Sequence, residues 1–299
     1  MVGSAVALAA LDSGLEVLGK TSGELDFTDR NAVFAELINT KPDYLLIAAA
    51  KVGGINANSS NPVDFLSVNL QIQTNLLDAA HAANVSRVLF LGSSCIYPKF
   101  ATQPILESAL LTGSLEPTNE SYAIAKIAGL KLVEAYRRQF EHNWISVMPT
   151  NLYGPRDNFD LSTAHVLPAL IHRIYNAKIQ QASKVTIWGD GSPLREFLHV
   201  DDLARACLML FAEYDDSIAL NVGSGEEVSI KQLAEMISSV VGFDGELAYD
   251  PSHPNGTPRK FLDSTRIKNL GWSPEIKLVD GISSTYDWFL GKYAKETTK

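Results

Sequence analysis

Cysteine is scarce: Cys95 and Cys207 are the only two in 299 residues. No disulfide framework can hold such a chain, which fits a reducing, cytoplasmic setting. The same shortage argues against a metal site built on sulfur, and no metal is expected. No uninterrupted run of about 18 apolar residues is present, so no membrane-spanning segment is expected. The N-terminus lacks the basic start and small-residue cleavage site of a signal peptide. Basic excess is also missing. A formal net charge of −9 argues against a nucleic-acid partner, which needs a positive surface. An anionic small ligand is still allowed, since a diphosphate needs only a few local cations and backbone N–H groups. Internal repeats and low-complexity segments are absent as well.

What remains is a globular composition, 46% hydrophobic and 20% charged, enough for a full core in one large domain or two smaller ones. Helical periodicity marks residues 5–13, 29–39, 62–83 and 122–140, and apolar strand patterns mark 15–19, 44–50, 87–91 and 144–148. Strands that are apolar throughout and alternate with helices indicate an α/β fold, a Rossmann-like doubly wound parallel sheet covered on both faces. Beyond residue 153 the pattern is shorter: helices at 166–177, 229–241 and 278–290, strands at 185–188, 197–200 and 220–222. The helix after Val200 is expected to be capped by Asp201 or Asp202, and the one at 229 by Ser229. This second half reads as a smaller C-terminal α/β substrate domain.

Ligands of open parallel sheets sit beyond the carboxyl ends of the strands. Three segments fall there: Ala48 to Ala50, Ser93 to Cys95, and Pro149 to Asn151. A dinucleotide fold normally opens with a strand and a glycine-rich turn against the pyrophosphate. Here that first strand is missing from the pattern, and Gly3 stands where the third glycine of the turn belongs. The chain thus reads as starting at an internal methionine. After the strand expected at 15–19 there is no acid for the ribose hydroxyls, but Lys20 offers a cation. That favours a ribose 2′-phosphate, hence NADP(H), against the alternative of a solvated surface lysine. Asp26 either reaches the adenine amino group or caps the helix that begins near Thr28.

The chemistry is carried by Ser93 and by Tyr122 and Lys126, four residues apart on one helix face. An ammonium held beside a phenol favours the phenolate and is expected to lower a tyrosine pKa that is about 10 in water. Such a tyrosine can exchange a proton with a sugar or alcohol oxygen near neutral pH. Ser93 supplies a neutral hydroxyl for the same oxygen.

Together the Tyr122–Lys126 pair, Ser93 and the run from Asn151 to Pro155 resemble extended short-chain dehydrogenase/reductases that act on nucleotide sugars. Further blocks, residues 49–55, 91–99, 116–120, 148–155 and 195–202, follow the order of the branch that converts GDP-4-keto-6-deoxy-D-mannose by NADPH-dependent 3,5-epimerisation and 4-reduction. The resemblance spans nearly the whole chain. It implies a dinucleotide site formed by Gly3, Lys20 and Asp26, by Ala49 and Ala50, by Leu91, Gly92 and Ser94, by Pro149, Thr150, Asn151 and Leu152, and by His165. It implies residues 1–152 as the NADP-binding domain with a returning segment at about 197–225, and 153–196 with 226–299 as the GDP-sugar domain.

Within that resemblance Tyr122 and Ser93 hold O4 of the sugar, Tyr122 protonates it on reduction, and Lys126 tunes Tyr122 and holds the nicotinamide ribose. Cys95 and His165 match the positions of the acid/base pair that inverts C3 and C5. Cys95 lies two residues from Ser93 and is expected on the same strand face unless the turn intervenes. Arg173, Trp188, Arg195 and Lys260 match positions lining the GDP-sugar, and Arg259 is placed to share the role of Lys260. Asn69 reads equally as a polar helix face or a site organiser. Asn255 stands where the branch carries Asp, which weakens a substrate contact there. A homodimer through a four-helix contact is implied as well. Two rival readings stay open: an NAD-retaining nucleotide-sugar 4-epimerase or dehydratase, and a catalytically impaired binding or scaffold protein.

Overall fold

The computed structural model describes residues 1–252 and 256–293. Its first half contains helices α1 (Val2–Asp12), α2 (Arg30–Thr40), α3 (Ile55–Ser60), α4 (Pro62–Ala82) and α5 (Glu120–Phe140), with strands β1 (Tyr44–Ile47), β2 (Arg87–Leu91) and β3 (Ile145–Pro149). The second half contains β4 (Asn151–Tyr153), α6 (Val166–Ile179), β5 (Lys184–Trp188), β6 (Leu194–His199), α7 (Val200–Glu213), β7 (Leu220–Val222), β8 (Glu227–Ser229), α8 (Ile230–Val241), β9 (Glu246–Asp250), β10 (Arg259–Lys260), α9 (Thr265–Asn269) and α10 (Leu278–Tyr293).

The main sheet is parallel, in the order β1-β2-β3-β7. Successive residues of β2 face opposite sides, as strand geometry requires. Val88 and Phe90 enter a core with α2, α4 and α5, while Leu89 and Leu91 enter a second core with α1 and α7. Helices thus cover both faces, which is the doubly wound arrangement the apolar strands imply. Gly129 lets α5 lie close on the sheet, because a Cβ there would come within 2.4 Å of the Phe90 ring. A second sheet, β10-β6-β4 with β8 antiparallel to β6, crosses to the C-terminal half. There α6, α8 and α10 enclose a third core around Ile171, Ile237 and Phe289. Among the described residues no helix is long and apolar enough to cross a membrane.

Several local expectations change. Residues 15–19 form no strand, and Leu15 and Leu18 are exposed. A strand needs a ladder, and no described strand pairs with this segment; β1 pairs only with β2. The helix expected at 5–13 starts earlier, at Val2, and the strand expected at 44–50 stops at Ile47, freeing the next residues for the site. Helix α7 is capped by the His199 imidazole, which accepts from Asp201 N–H at 3.3 Å, so Asp201 and Asp202 lie inside its first turn. Ser229 does cap α8, in a reciprocal capping box with Gln232.

Candidate active site

The first wall of the cleft is built by β2 and α5. The strand ends at Leu91, and Ser93 then caps a one-turn 3-10 helix, Ser94–Ile96, by accepting from Cys95 N–H at 3.2 Å. Cys95 therefore sits in a turn, not on the strand face shared with Ser93 that the spacing allowed. Tyr122 and Lys126 lie on successive turns of α5. Lys126 is 4% exposed and donates from Nζ to the Leu91 carbonyl at 2.7 Å, below the ring of Tyr122. Burial pushes its ammonium down to about 8.

Tyr122 contradicts the sequence-based expectation. Its phenol is pushed up, first by burial in the cleft and then by the neighbouring Cys95, with the Ser93 hydroxyl acting the other way. The reason is geometric: Lys126 aims its ammonium at a backbone carbonyl, and Nζ lies 5.9 Å from the tyrosine ring centre. In this state Tyr122 is a proton donor.

The opposite wall comes from the second half. His165 is the N-cap residue of α6 but makes no side-chain cap bond. The residue keeps an exposed face, while the protein packed around its ring withdraws it partly from water. Burial, and then the charge of Lys260, hold its imidazole below the ordinary histidine range. Lys260, on β10, donates to Sγ of Cys95 at 3.6 Å. Arg195, in register with Lys260 on β6, also acts electrostatically on Cys95. The structure thus brings Ser93, Cys95, Tyr122 and Lys126 together on one side, and Lys260 links Cys95 to His165 on the other. Below Cys95 a small polar pocket is lined by Ser94, Tyr97, Lys99, Glu116 and Lys260.

The Arg173 guanidinium lies 4.2 Å over the half-exposed Trp188 ring. Arg259 does not share the position of Lys260: Glu227 holds its Nε at 2.9 and 3.0 Å. Asn255 lies outside the described residues.

On the dinucleotide side, the segments after β1, β2 and β3 converge as expected. Asn69, which is 2% exposed, grips the first of them by accepting from Lys51 N–H and donating to its carbonyl. It organises the loop that follows β1. Gly92 N–H bonds to Val147, Thr150 N–H to Val222, and Asn151 Nδ2 to the Glu196 carbonyl at 2.8 Å. Helix α1 carries no side-chain cap on its first N–H groups, and a Cβ on Gly3 would lie 3.8 Å from Ala48. The N-terminal turn of α1 beside these strand ends fits a phosphate, and the Tyr122–Lys126 pair fits the nicotinamide end. Lys20 is at the surface with Nζ 3.5 Å from Glu36, and Asp26 accepts from Thr28 in a turn while Asp29 caps α2.

Sequence reasoning passed over Glu196. Fully buried, it accepts from Gly225 N–H at 2.8 Å and from Leu262 N–H at 3.2 Å, and burial pushes its carboxyl up. It ties β6 to the chain beyond β10 and so holds Arg195 and Lys260 in place. An acid inside an apolar strand pattern was the available signal. Gly54, inside the block at 49–55, makes a contact that the sequence pattern did not specify. Its N–H bonds to the Thr163 carbonyl, and a Cβ there would come within 2.7 Å of the Ala164 carbonyl, so the loop from the first half closes onto the segment before His165.

Residues 1–223 match the NAD dependent epimerase/dehydratase family. GDP-L-fucose synthase 1 of Arabidopsis thaliana is 56% identical over 293 residues, covering 97% of this chain and 90% of that protein. GDP-L-fucose synthase of Escherichia coli (strain K12) is 50% identical, over 97% of this chain and 94% of that one. Among solved structures, a GDP-L-fucose synthetase from Naegleria fowleri bound to NADP superposes with a TM-score of 0.91 at 28% identity, over 98% of this chain and 92% of that one. Fold, site geometry and these similarities agree, and the chain belongs to the NAD dependent epimerase/dehydratase family.

Proposed function

We propose that this protein converts GDP-4-keto-6-deoxy-D-mannose to GDP-L-fucose by 3,5-epimerisation and NADPH-dependent 4-reduction. The observation that carries the reading is the convergence of Ser93, Cys95, Tyr122 and His165 on one cleft, with Lys260 between the thiol and the imidazole.

The ketone oxygen O4 is held by the Ser93 hydroxyl and the Tyr122 phenol. Loss of a proton from C3 or C5 places negative charge on that oxygen, so donors fixed there lower both barriers. Cys95 and His165 stand on the two sides of the ring, one to take the proton from a ring carbon and the other to return one to its opposite face. A bound NADPH supplies the hydride that C4 receives. Tyr122, whose phenol burial keeps protonated, gives its proton to O4 in the same step. The residues that would hold the cofactor are the N-terminal turn of α1 with Gly3, the strand-end segments at Ala49 and Ala50, at Leu91, Gly92 and Ser94, and at Pro149 to Leu152, and Lys126 at the ribose. Lys20 is assigned to the 2′-phosphate and Asp26 to the adenine edge; His165 also borders this site. Arg195 serves the diphosphate, and Trp188 with Arg173 forms a flat surface for the base. The reading includes a homodimer through α4 and α5, whose Val63 and Ile124 are exposed, and a cytoplasmic setting.

The test is turnover in deuterated water with NADPH and the 4-keto substrate. Deuterium at C3 and C5 together with NADPH consumption is expected. A folded sample giving neither rules the function out, and tightly bound NAD with turnover lacking any added reductant identifies an NAD-retaining epimerase or dehydratase instead.

A further inference from the structure

Among the described residues the Lys260 ammonium has no carboxylate partner. Among the described residues its one side-chain hydrogen bond goes to Sγ of Cys95, at 3.6 Å. The adjacent Arg259 is held at Nε by Glu227. The backbone that carries Lys260 is fixed on both sides. It lies in register with Arg195 of β6. The next residue, Phe261, donates from N–H to Gln103 Oε1 at 2.9 Å and accepts from Ile105 N–H at 2.8 Å. Leu262 N–H is then held by Glu196. An ammonium placed there gains little from a neutral thiol, a weak acceptor, and much from a thiolate.

We propose that Lys260 acts in proton transfer, as the counter-charge to the Cys95 thiolate and as the group that makes protonated His165 a readier donor. This rests on the epimerase reading above. In the step, the thiolate takes a proton from the ring carbon, the C–H electron pair moves into the enolate, and O4 carries the charge to Ser93 and Tyr122. The imidazolium then gives its proton to the opposite face of that carbon, leaving a thiol and a neutral imidazole. One fixed positive charge raises the population of S− before the step, at the cost of some of its basicity, and favours loss of the proton from the imidazolium. The lowered proton affinity of His165 agrees with this. Among the described residues the other groups facing the pair are Tyr122 from α5 and Arg195 from β6, with Glu116 acting on Arg195. Because Arg195 stands beside Lys260 for the diphosphate, Lys260 is available to the thiol.

The experiment compares the full-length protein with Lys260→Met and Lys260→Arg, loaded with NADP+ so that no reduction follows. Deuterium entry at C3 and C5 is read at saturating substrate, and GDP affinity by calorimetry. Lys260→Met is expected to lose about 100-fold in saturated exchange, the scale of removing one charge-stabilising donor, with Lys260→Arg recovering part of it. Lys260→Gln is expected to match Met and serves if Met fails to fold. A second readout needs no substrate: the His165 ring, followed by NMR, should titrate at higher pH in Lys260→Met than in the parent. Saturated exchange within about twofold of the parent, with only KM raised, reduces Lys260 to a phosphate cation. An unmoved His165 titration overturns the proposal by itself. Absence of exchange in the parent counts against the epimerase reading, and the His165 titration still decides whether Lys260 charges the pair.

Discussion

Lys126 and Lys260 approach the same cleft from opposite walls, and the two walls are fixed in different ways. Lys126 sits one helical turn below Tyr122 and is anchored to a carbonyl of the neighbouring strand. Its position follows from helix geometry and from α5 lying flat on the sheet over Gly129. Lys260 stands on a two-residue strand held by β6, by the chain at 103–105 and by the buried Glu196. Local periodicity builds the first wall, whereas long-range pairing builds the second. The first wall is therefore stiff and buried, while the second is assembled from segments that meet only in the folded state.

Lys126→Met breaks the first wall with the largest expected effect. Reduction, followed by NADPH consumption, should fall about 1,000-fold, within the range for a lost proton-transfer partner. Stability should move the other way. With the folded ammonium lowered to about 8 against 10.5 in the unfolded chain, the unfolded state binds more protons between those values. The burial cost of the charge is thus complete below pH 8 and disappears by pH 10.5. Lys126→Met should gain about 2 kcal/mol at pH 7 by urea unfolding, less than the full shift because the Leu91 carbonyl loses its donor. That gain should shrink as pH rises through the window. A gain that does not change with pH assigns it to packing and not to the charge.

Glu196→Ala tests the second wall alone. It strands the N–H groups of Gly225 and Leu262, and about 2–4 kcal/mol of stability should go with them. With β10 loosened from β6, affinity for the GDP-sugar should fall about tenfold while NADPH affinity stays level, both read by calorimetry. Equal losses for both ligands contradict the division into two walls.

The same division explains what the sequence disclosed. Tyr122 and Lys126 were legible because a four-residue spacing needs nothing but a helix, and Ser93 because a strand visibly ends before it. The direction of the Tyr122 shift was not legible, since it depends on burial and on where Lys126 points, and neither is local. Glu196 acquires its role only from Gly225 and Leu262, which come to it across 29 and 66 residues. Cys95 and His165 were identified through resemblance, because a thiol in a turn and a histidine before a helix carry no distinctive spacing. The strand at 15–19 failed because an apolar pattern describes a face, and a ladder needs a neighbour.

The mildest test lies on the cofactor side of the first wall, at Lys20. Its ammonium is 3.5 Å from Glu36, and both side chains are partly exposed, so the pair itself contributes at most about 1 kcal/mol. Lys20→Ala should leave unfolding within about 0.5 kcal/mol of the parent. If Lys20 meets the 2′-phosphate, NADPH affinity drops about fivefold and NADH affinity does not change, because only NADPH carries that dianion. Glu36→Gln should shift the ratio the opposite way, by releasing Lys20 and removing a nearby negative charge. Parallel changes in NADPH and NADH, or none in either, would return Lys20 to the solvated surface and move the selection of cofactor to other residues.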